Sequence, residues 1–63
     1  MPFITVLAIR GSSVEQRREF AAKVTELAVS CLNAKPQEVR VHFTEMDRSE
    51  FARAGRLMSD DKG

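Results

Sequence analysis

The sequence predicts a small α/β subunit with the element order β-α-β, on the basis of three successive patterns. Residues 3–9 are an almost continuous apolar run rich in β-branched side chains, and residues 14–32 repeat apolar side chains at helical spacing. Residues 39–44 then alternate apolar with polar side chains. A strand, a helix and a strand in this order favour parallel strands joined by a right-handed crossover. We expect the 63 residues to form one domain.

The first strand is predicted at residues 3–9, because continuous apolarity is typical of a strand that is covered on both faces. The polar segment at residues 10–13 ends it. Ser13 is suited to cap a helix, and Gln16 lies three residues further on, where it completes a capping box. The helix is therefore expected to begin near Val14.

The helix carries an apolar stripe at three- and four-residue spacing, with charged side chains on the other face. The stripe comprises Phe20, Ala21, Val24, Leu27, Ala28, Cys31 and Leu32. Asn33 and the Lys35-Pro36 step end the helix, because the residue before a proline disfavours helical dihedral angles.

The second strand is predicted from Val39 to Thr44, with one buried and one more polar face. Residues 51–57 favour a hairpin or an arm that reaches another subunit. Residues 59–63 have the composition of a frayed tail.

The composition excludes several classes of protein. The net charge is +1 and no basic tract is present, so a nucleic-acid partner is not expected. Cys31 is the only cysteine and His42 the only histidine, so an internal disulfide is excluded and the two residues are a poor set of zinc ligands. The apolar runs are too short to span a bilayer, and no signal peptide is indicated. We expect a cytoplasmic protein without a membrane anchor.

The small size of the chain predicts an oligomer. A chain of this length buries only about 60% of the surface it exposes when unfolded. Small domains are often stabilised by disulfides or by a structural metal, and the sequence favours neither. Two parallel strands under one helix are not a stable protein. The first strand is therefore expected to pair with a strand of another copy. This pairing gives a four-stranded sheet per dimer, whose exposed faces favour further association.

Pro2 directly precedes the first strand and is the main candidate for a catalytic group. Removal of Met1 would make its ring nitrogen the α-amino group, and such groups have pKa values of about 7.7–8.0. A base with a pKa near the working pH is well suited to moving protons at carbon. The alternative is structural, since proline is tolerated as the first residue of a strand.

Segments along nearly the whole chain resemble the 4-oxalocrotonate tautomerase family. They are Met1-Pro2 before an apolar strand, Gly11-Ser12-Ser13 leading to Glu15-Gln16-Arg17, Val39-Arg40-Val41, Thr44-Glu45-Met46 and Phe51. The resemblance implies a β-α-β subunit and a hexamer built as a trimer of dimers. It also implies keto-enol tautomerisation of a small unsaturated 2-oxo acid, in aromatic degradation, without a cofactor or a metal.

The same resemblance assigns roles to three residues. Pro2 would be the general base and acid, Arg40 the cation that binds a substrate carboxylate or the developing enolate, and Phe51 an apolar wall. A guanidinium can hold carboxylate and enolate oxygens together. The alternatives are a surface ion pair for Arg40 and a core or interface contact for Phe51.

The chain departs from the family at Ser12, where a second active-site arginine is typical. Arg10 is the nearest candidate to bind substrate in its place, and Arg53 and Arg56 are further candidates. Arg10 cannot serve its own Pro2, because eight residues of strand span roughly 26 Å. The departure leaves open a monocarboxylate enol substrate, a slow promiscuous activity or a diverged chemistry, such as dehalogenation or hydration of an acrylate. A hetero-oligomer whose partner chain supplies the arginine is the other alternative.

Overall fold

The computed structural model describes residues 1–60 of the chain. Strand β1 (Phe3–Ile9) is followed by helix α1 (Val14–Leu32) and by strand β2 (Arg40–Met46). The two strands pair in parallel, so the predicted β-α-β order is confirmed. A short 3₁₀ turn at Pro36–Glu38 separates the helix from β2, which begins one residue later and ends two residues later than predicted.

Capping explains where α1 begins and ends. The Oγ of Ser13 accepts a hydrogen bond from the Gln16 backbone N–H at 3.1 Å, and the Gln16 side chain accepts one from the Ser13 N–H at 2.9 Å. The predicted capping box is therefore present. At the other end Asn33 adopts left-handed dihedral angles with φ 57°, which is typical of a helix C-terminus.

The sheet has one covered and one open face, because side chains alternate along each strand. The side chains toward the helix are half-buried; they include Ile4, Val6, Val41 and Phe43. The ring of Phe43 packs edge-on against Phe20, with centroids 6.0 Å apart. On the open face Phe3 and Leu7 are 74% and 65% exposed. The single chain therefore does not cover β1 on both faces.

Little of the apolar stripe on the helix is buried within one chain. Ala28 is the only buried hydrophobic residue among residues 1–60, whereas Leu27 and Leu32 are 60% and 65% exposed. The radius of gyration is 15.1 Å, against about 11 Å for a compact domain of this length. Within the same residues, no helix is both long and apolar enough to cross a membrane.

The segment after β2 forms a hairpin, one of the two predicted outcomes. It begins with a 3₁₀ turn at Arg48–Glu50 and continues as strands β3 (Ala52–Arg53) and β4 (Arg56–Leu57). A 3₁₀ turn at Met58–Asp60 follows, so the prediction of a frayed tail is wrong for residues 59 and 60. Residues 61–63 of that tail lie outside the described residues.

Candidate functional site

Pro2 and Arg40 lie side by side at the amino end of the sheet. The parallel register aligns Arg40 with Phe3, and the Arg40 backbone N–H donates to the Pro2 carbonyl oxygen at 3.0 Å. This bond extends the β1-β2 ladder by one residue. The residue predicted as the base and the residue predicted as its cation are thus adjacent in the backbone of one chain.

The Arg40 side chain lies on the open face of the sheet. It is exposed, and its Nη1 donates to the Gln37 carbonyl oxygen at 2.6 Å. Within residues 1–60, Arg40 forms no ion pair. A guanidinium held by one carbonyl keeps other N–H donors for an incoming carboxylate.

Arg10 lies at the opposite, carboxyl end of the sheet. Its backbone N–H donates to the Met46 carbonyl at 2.8 Å, and its Nε donates to the carboxylate of Asp47 at 2.8 Å. The hydrogen bond and the charge of Asp47 raise the pKa of Arg10. Both side chains are about 60% exposed, so this is a solvated ion pair, and the binding role of Arg10 stays a prediction.

Phe51 also lies beyond the carboxyl end of the sheet, between the Arg48–Glu50 turn and the hairpin. Its carbonyl oxygen accepts a hydrogen bond from the Met58 N–H at 2.8 Å, which closes the base of the hairpin. The ring is 38% exposed and lines a pocket of about 170 Å³. The other lining residues are Arg53, Ala54, Arg56 and Met58.

Ser12 joins a polar cluster that the sequence analysis did not identify. Its Oγ donates to Glu45 Oε2 at 3.2 Å, and the Gly11 N–H approaches the same oxygen at 3.4 Å. The other Glu45 oxygen accepts from Arg17 Nη1 at 3.3 Å. The two charged side chains are only 14% (Glu45) and 33% (Arg17) exposed. The cluster borders a cleft of about 340 Å³ between helix and sheet.

Glu45 stays ionised in this cluster. Burial raises the pKa of its carboxyl group, but the hydrogen bonds from Gly11 and Ser12 and the charge of Arg17 lower it by more. The pKa of Glu45 therefore lies below its ordinary value. No sequence signal predicted this cluster. It depends on the parallel register of the two strands, which places Glu45 opposite Ala8 and so beside the loop that leaves β1.

One chain does not bring the predicted site residues together. Pro2 and Arg40 occupy one end of the sheet, and Arg10 and Phe51 lie at or beyond the other. The seven residues of β1 separate them by about 23 Å. Within residues 1–60, no group of three or more His, Cys, Asp or Glu side chains is placed to hold a metal ion.

Comparison with known sequences gives consistent matches over nearly the full length. The model of the family described as "Tautomerase enzyme" matches residues 2–61. A probable tautomerase of Halalkalibacterium halodurans is 35% identical over 60 residues, which cover 95% of this chain and 98% of that protein. The 2-hydroxymuconate tautomerase of Bacillus subtilis is also 35% identical over 60 residues, covering 95% and 97%.

Solved structures give the same result for the fold. The crystal structure of YwhB, a homologue of 4-oxalocrotonate tautomerase, superposes with a TM-score of 0.91 at 33% identity and covers 97% of this chain and 100% of that one. A heterohexamer 4-oxalocrotonate tautomerase from Chloroflexus aurantiacus superposes with a TM-score of 0.85 over 95% and 97% of the chains. It is 23% identical, so this match concerns the fold alone.

Proposed function

Because the chain belongs to the tautomerase family, we propose that it is a keto-enol tautomerase acting on a small unsaturated 2-oxo acid. The observation that carries this proposal is the hydrogen bond between the Arg40 N–H and the Pro2 carbonyl. It places the backbone of Arg40 beside the amino terminus of β1, and the Arg40 guanidinium has no carboxylate partner in the described part of the chain.

In the proposed mechanism Met1 is removed and the Pro2 nitrogen becomes a secondary amine. This nitrogen takes the proton of the enol hydroxyl and returns a proton to a carbon of the conjugated chain, which yields the ketone. Negative charge develops on the substrate oxygens during the transfer. An arginine stabilises that charge more strongly in a water-poor site than in solution.

The complete site is proposed to form between copies. Phe51 lies about a strand length from the Pro2 of its own chain, so its role as an apolar wall requires the Pro2 of another copy. The exposed Phe3 and Leu7 and the uncovered half of the helix stripe support association. We propose a homo-oligomer, in the form of a hexamer of three dimers.

The second candidate is a hetero-oligomer or a diverged chemistry, and Ser12 is the observation that favours it. The arginine that the resemblance places at position 12 is missing, and the Ser12 hydroxyl is engaged by Glu45. A paralogous chain could supply that arginine. One protein of the same fold, from Chloroflexus aurantiacus, is a heterohexamer. One arginine fewer also suits an acrylate substrate of a dehalogenase or hydratase.

The test uses chain purified alone, with loss of Met1 verified by intact mass. Ketonisation of 2-hydroxymuconate and of phenylenolpyruvate is followed by ultraviolet absorbance. Protein that retains Met1 is expected to have a kcat about 10²–10⁴-fold lower, the range for a lost general base, because its Pro2 nitrogen is then an amide without a basic lone pair. Arg40→Gln is expected to lower kcat/KM, while Arg18→Gln, on the exposed side of the helix, serves as the matched control.

Two outcomes would overturn the proposal. Equal activity of protein with and without Met1 contradicts the proline mechanism. Inactivity of pure, correctly processed chain toward both substrates contradicts a self-sufficient tautomerase. Recovery of activity on coexpression with a paralogous chain would then establish the hetero-oligomer.

A further inference from the structure

The hairpin places two arginines directly opposite each other. Arg53 on β3 and Arg56 on β4 are register partners, and both are exposed. Like charges at directly opposed positions destabilise a strand pair. Within residues 1–60, neither arginine has an ion-pair partner. The hairpin thus holds two positive charges together without a counter-charge from the described chain.

The two guanidinium groups share a pocket with an apolar wall. Arg53, Arg56 and Phe51 line the same pocket of about 170 Å³. Two arginines and a phenyl ring that line one pocket suit a ligand that combines a carboxylate with a flat carbon chain. Binding of an anion would also remove the repulsion between the two arginines.

We propose that Arg53 and Arg56 bind the second carboxylate of a dicarboxylate substrate, in place of the arginine missing at position 12. This inference rests on the proposed function, and it specifies the substrate class. Arg40 and the Pro2 of one copy hold the reacting end of the substrate. The hairpin pocket of another copy holds the remote carboxylate.

The other cations near this end of the sheet are engaged by groups of the chain itself. Arg48 has no ion pair within residues 1–60, but its Nη2 donates to the Met58 carbonyl oxygen at 3.4 Å. Arg10 is paired with Asp47 at 2.8 Å, and Arg17 is paired with the largely buried Glu45 at 3.3 Å. A guanidinium engaged by a protein carboxylate attracts a second carboxylate less strongly, because the net charge of the pair is zero. Arg53 and Arg56 are therefore better placed to supply the missing positive charge.

The position of the hairpin requires a contribution from a second copy. β2 ends at Met46, aligned with Ile9 at the carboxyl end of β1, and the hairpin follows from there. A strand length of about 23 Å lies between this end and the chain's own Pro2. In an antiparallel pairing of two β1 strands, the amino end of one strand lies beside the carboxyl end of the other. Such a pairing brings the hairpin end of one copy toward the Pro2 of its neighbour.

The experiment compares two substrates on the double variant R53Q/R56Q, with Met1 removed. 2-Hydroxymuconate carries two carboxylates and phenylenolpyruvate carries one. The ratio of kcat/KM for the dicarboxylate to kcat/KM for the monocarboxylate is expected to fall about 10–100-fold, mainly through KM. R53K/R56K keeps the charge and is expected to restore part of the ratio. R18Q/K35Q removes two exposed positive charges elsewhere and is expected to leave the ratio unchanged.

Native mass spectrometry of each variant distinguishes substrate binding from an interface role. An unchanged ratio in R53Q/R56Q overturns the inference. The inference is also overturned if kcat/KM falls equally for both substrates and the oligomer dissociates. The two arginines would then bind acidic groups of another copy rather than the substrate. A chain whose activity does not depend on Pro2 refutes the proposed function itself. Dependence on Pro2 with an unchanged ratio refutes only the role of the hairpin.

Discussion

The carboxylate of Glu45 and the hydroxyl of Ser12 are joined by a hydrogen bond of 3.2 Å. This bond ties the end of β2 to the loop that leads from β1 into the helix. The Arg17 guanidinium reaches the same carboxylate from the first turns of the helix. A single acidic side chain thus connects strand, loop and helix at the carboxyl end of the sheet.

Replacement of Glu45 by Gln is expected to change how stability depends on pH. The folded state lowers the pKa of Glu45 below its usual 4.5, so its ionised form stabilises the fold above the unfolded pKa. That contribution is lost as the pH falls through the folded pKa. The Tm advantage of unsubstituted protein over E45Q is therefore expected to shrink between about pH 6 and about pH 3. Thermal denaturation at one protein concentration measures it.

Glu26→Gln is the matched control for this experiment. Glu26 is exposed on the helix, and within residues 1–60 it forms no ion pair. A Tm difference from unsubstituted protein that does not vary with pH is expected for this variant. If the E45Q and E26Q curves have the same shape, Glu45 does not supply pH-dependent stability.

The limits of sequence analysis are clearest at this cluster. Periodicity and capping residues are local signals, so the start of α1 at Val14 and the capping box of Ser13 were predicted correctly. The bonds from Glu45 to the 11–12 loop join positions more than thirty residues apart. They depend on the strand register, which the hydrophobic pattern does not specify. The ion pair between Arg10 and Asp47 was missed for the same reason.

The apolar positions of the helix were also predicted, but the extent of their burial within one chain was not. Phe20, Leu27 and Leu32 remain between 45% and 65% exposed. Helical periodicity identifies an apolar face without stating whether the same chain or a neighbour covers it. One helix over two strands is too narrow a contact to cover the whole stripe.

Replacement of Ser13 by Ala is expected to destabilise the protein by about 1 kcal/mol. The substitution removes the acceptor that the Gln16 N–H uses at 3.1 Å, so that N–H loses its partner at the helix start. Urea denaturation at a fixed protein concentration measures the change. Ser30→Ala is the control, because Ser30 is exposed on the same helix but does not cap it. The Ser30 Oγ donates to the Leu27 carbonyl oxygen at 3.3 Å and lies 3.7 Å from Cys31 Sγ. Equal effects of both substitutions would contradict the capping role.

Replacement of Ala54 by Gly is expected to stabilise the hairpin by about 1 kcal/mol. Ala54 and Gly55 turn the chain with φ values of 54° and 81°, and left-handed dihedral angles are unfavourable for residues that carry a Cβ. The Met58 N–H closes the hairpin on the Phe51 carbonyl. Its hydrogen exchange is therefore expected to slow about fivefold. Ala52→Gly, on strand β3, is expected to speed the same exchange.

The stability of the protein is expected to depend on its concentration. Among residues 1–60 a single apolar side chain is buried, and Leu7 on the open sheet face is 65% exposed. If association covers this face, mass action raises the Tm as the concentration rises.

Leu7→Ser removes apolar surface worth about 1.5–3 kcal/mol per copy when buried, so it is expected to shift dissociation to higher concentration. Glu26→Ser, on the exposed side of the helix, is expected to have no such effect. A Tm that stays constant over a hundredfold dilution, together with the sedimentation coefficient of a monomer, would show that one chain is stable alone. A site shared between copies would then have no basis.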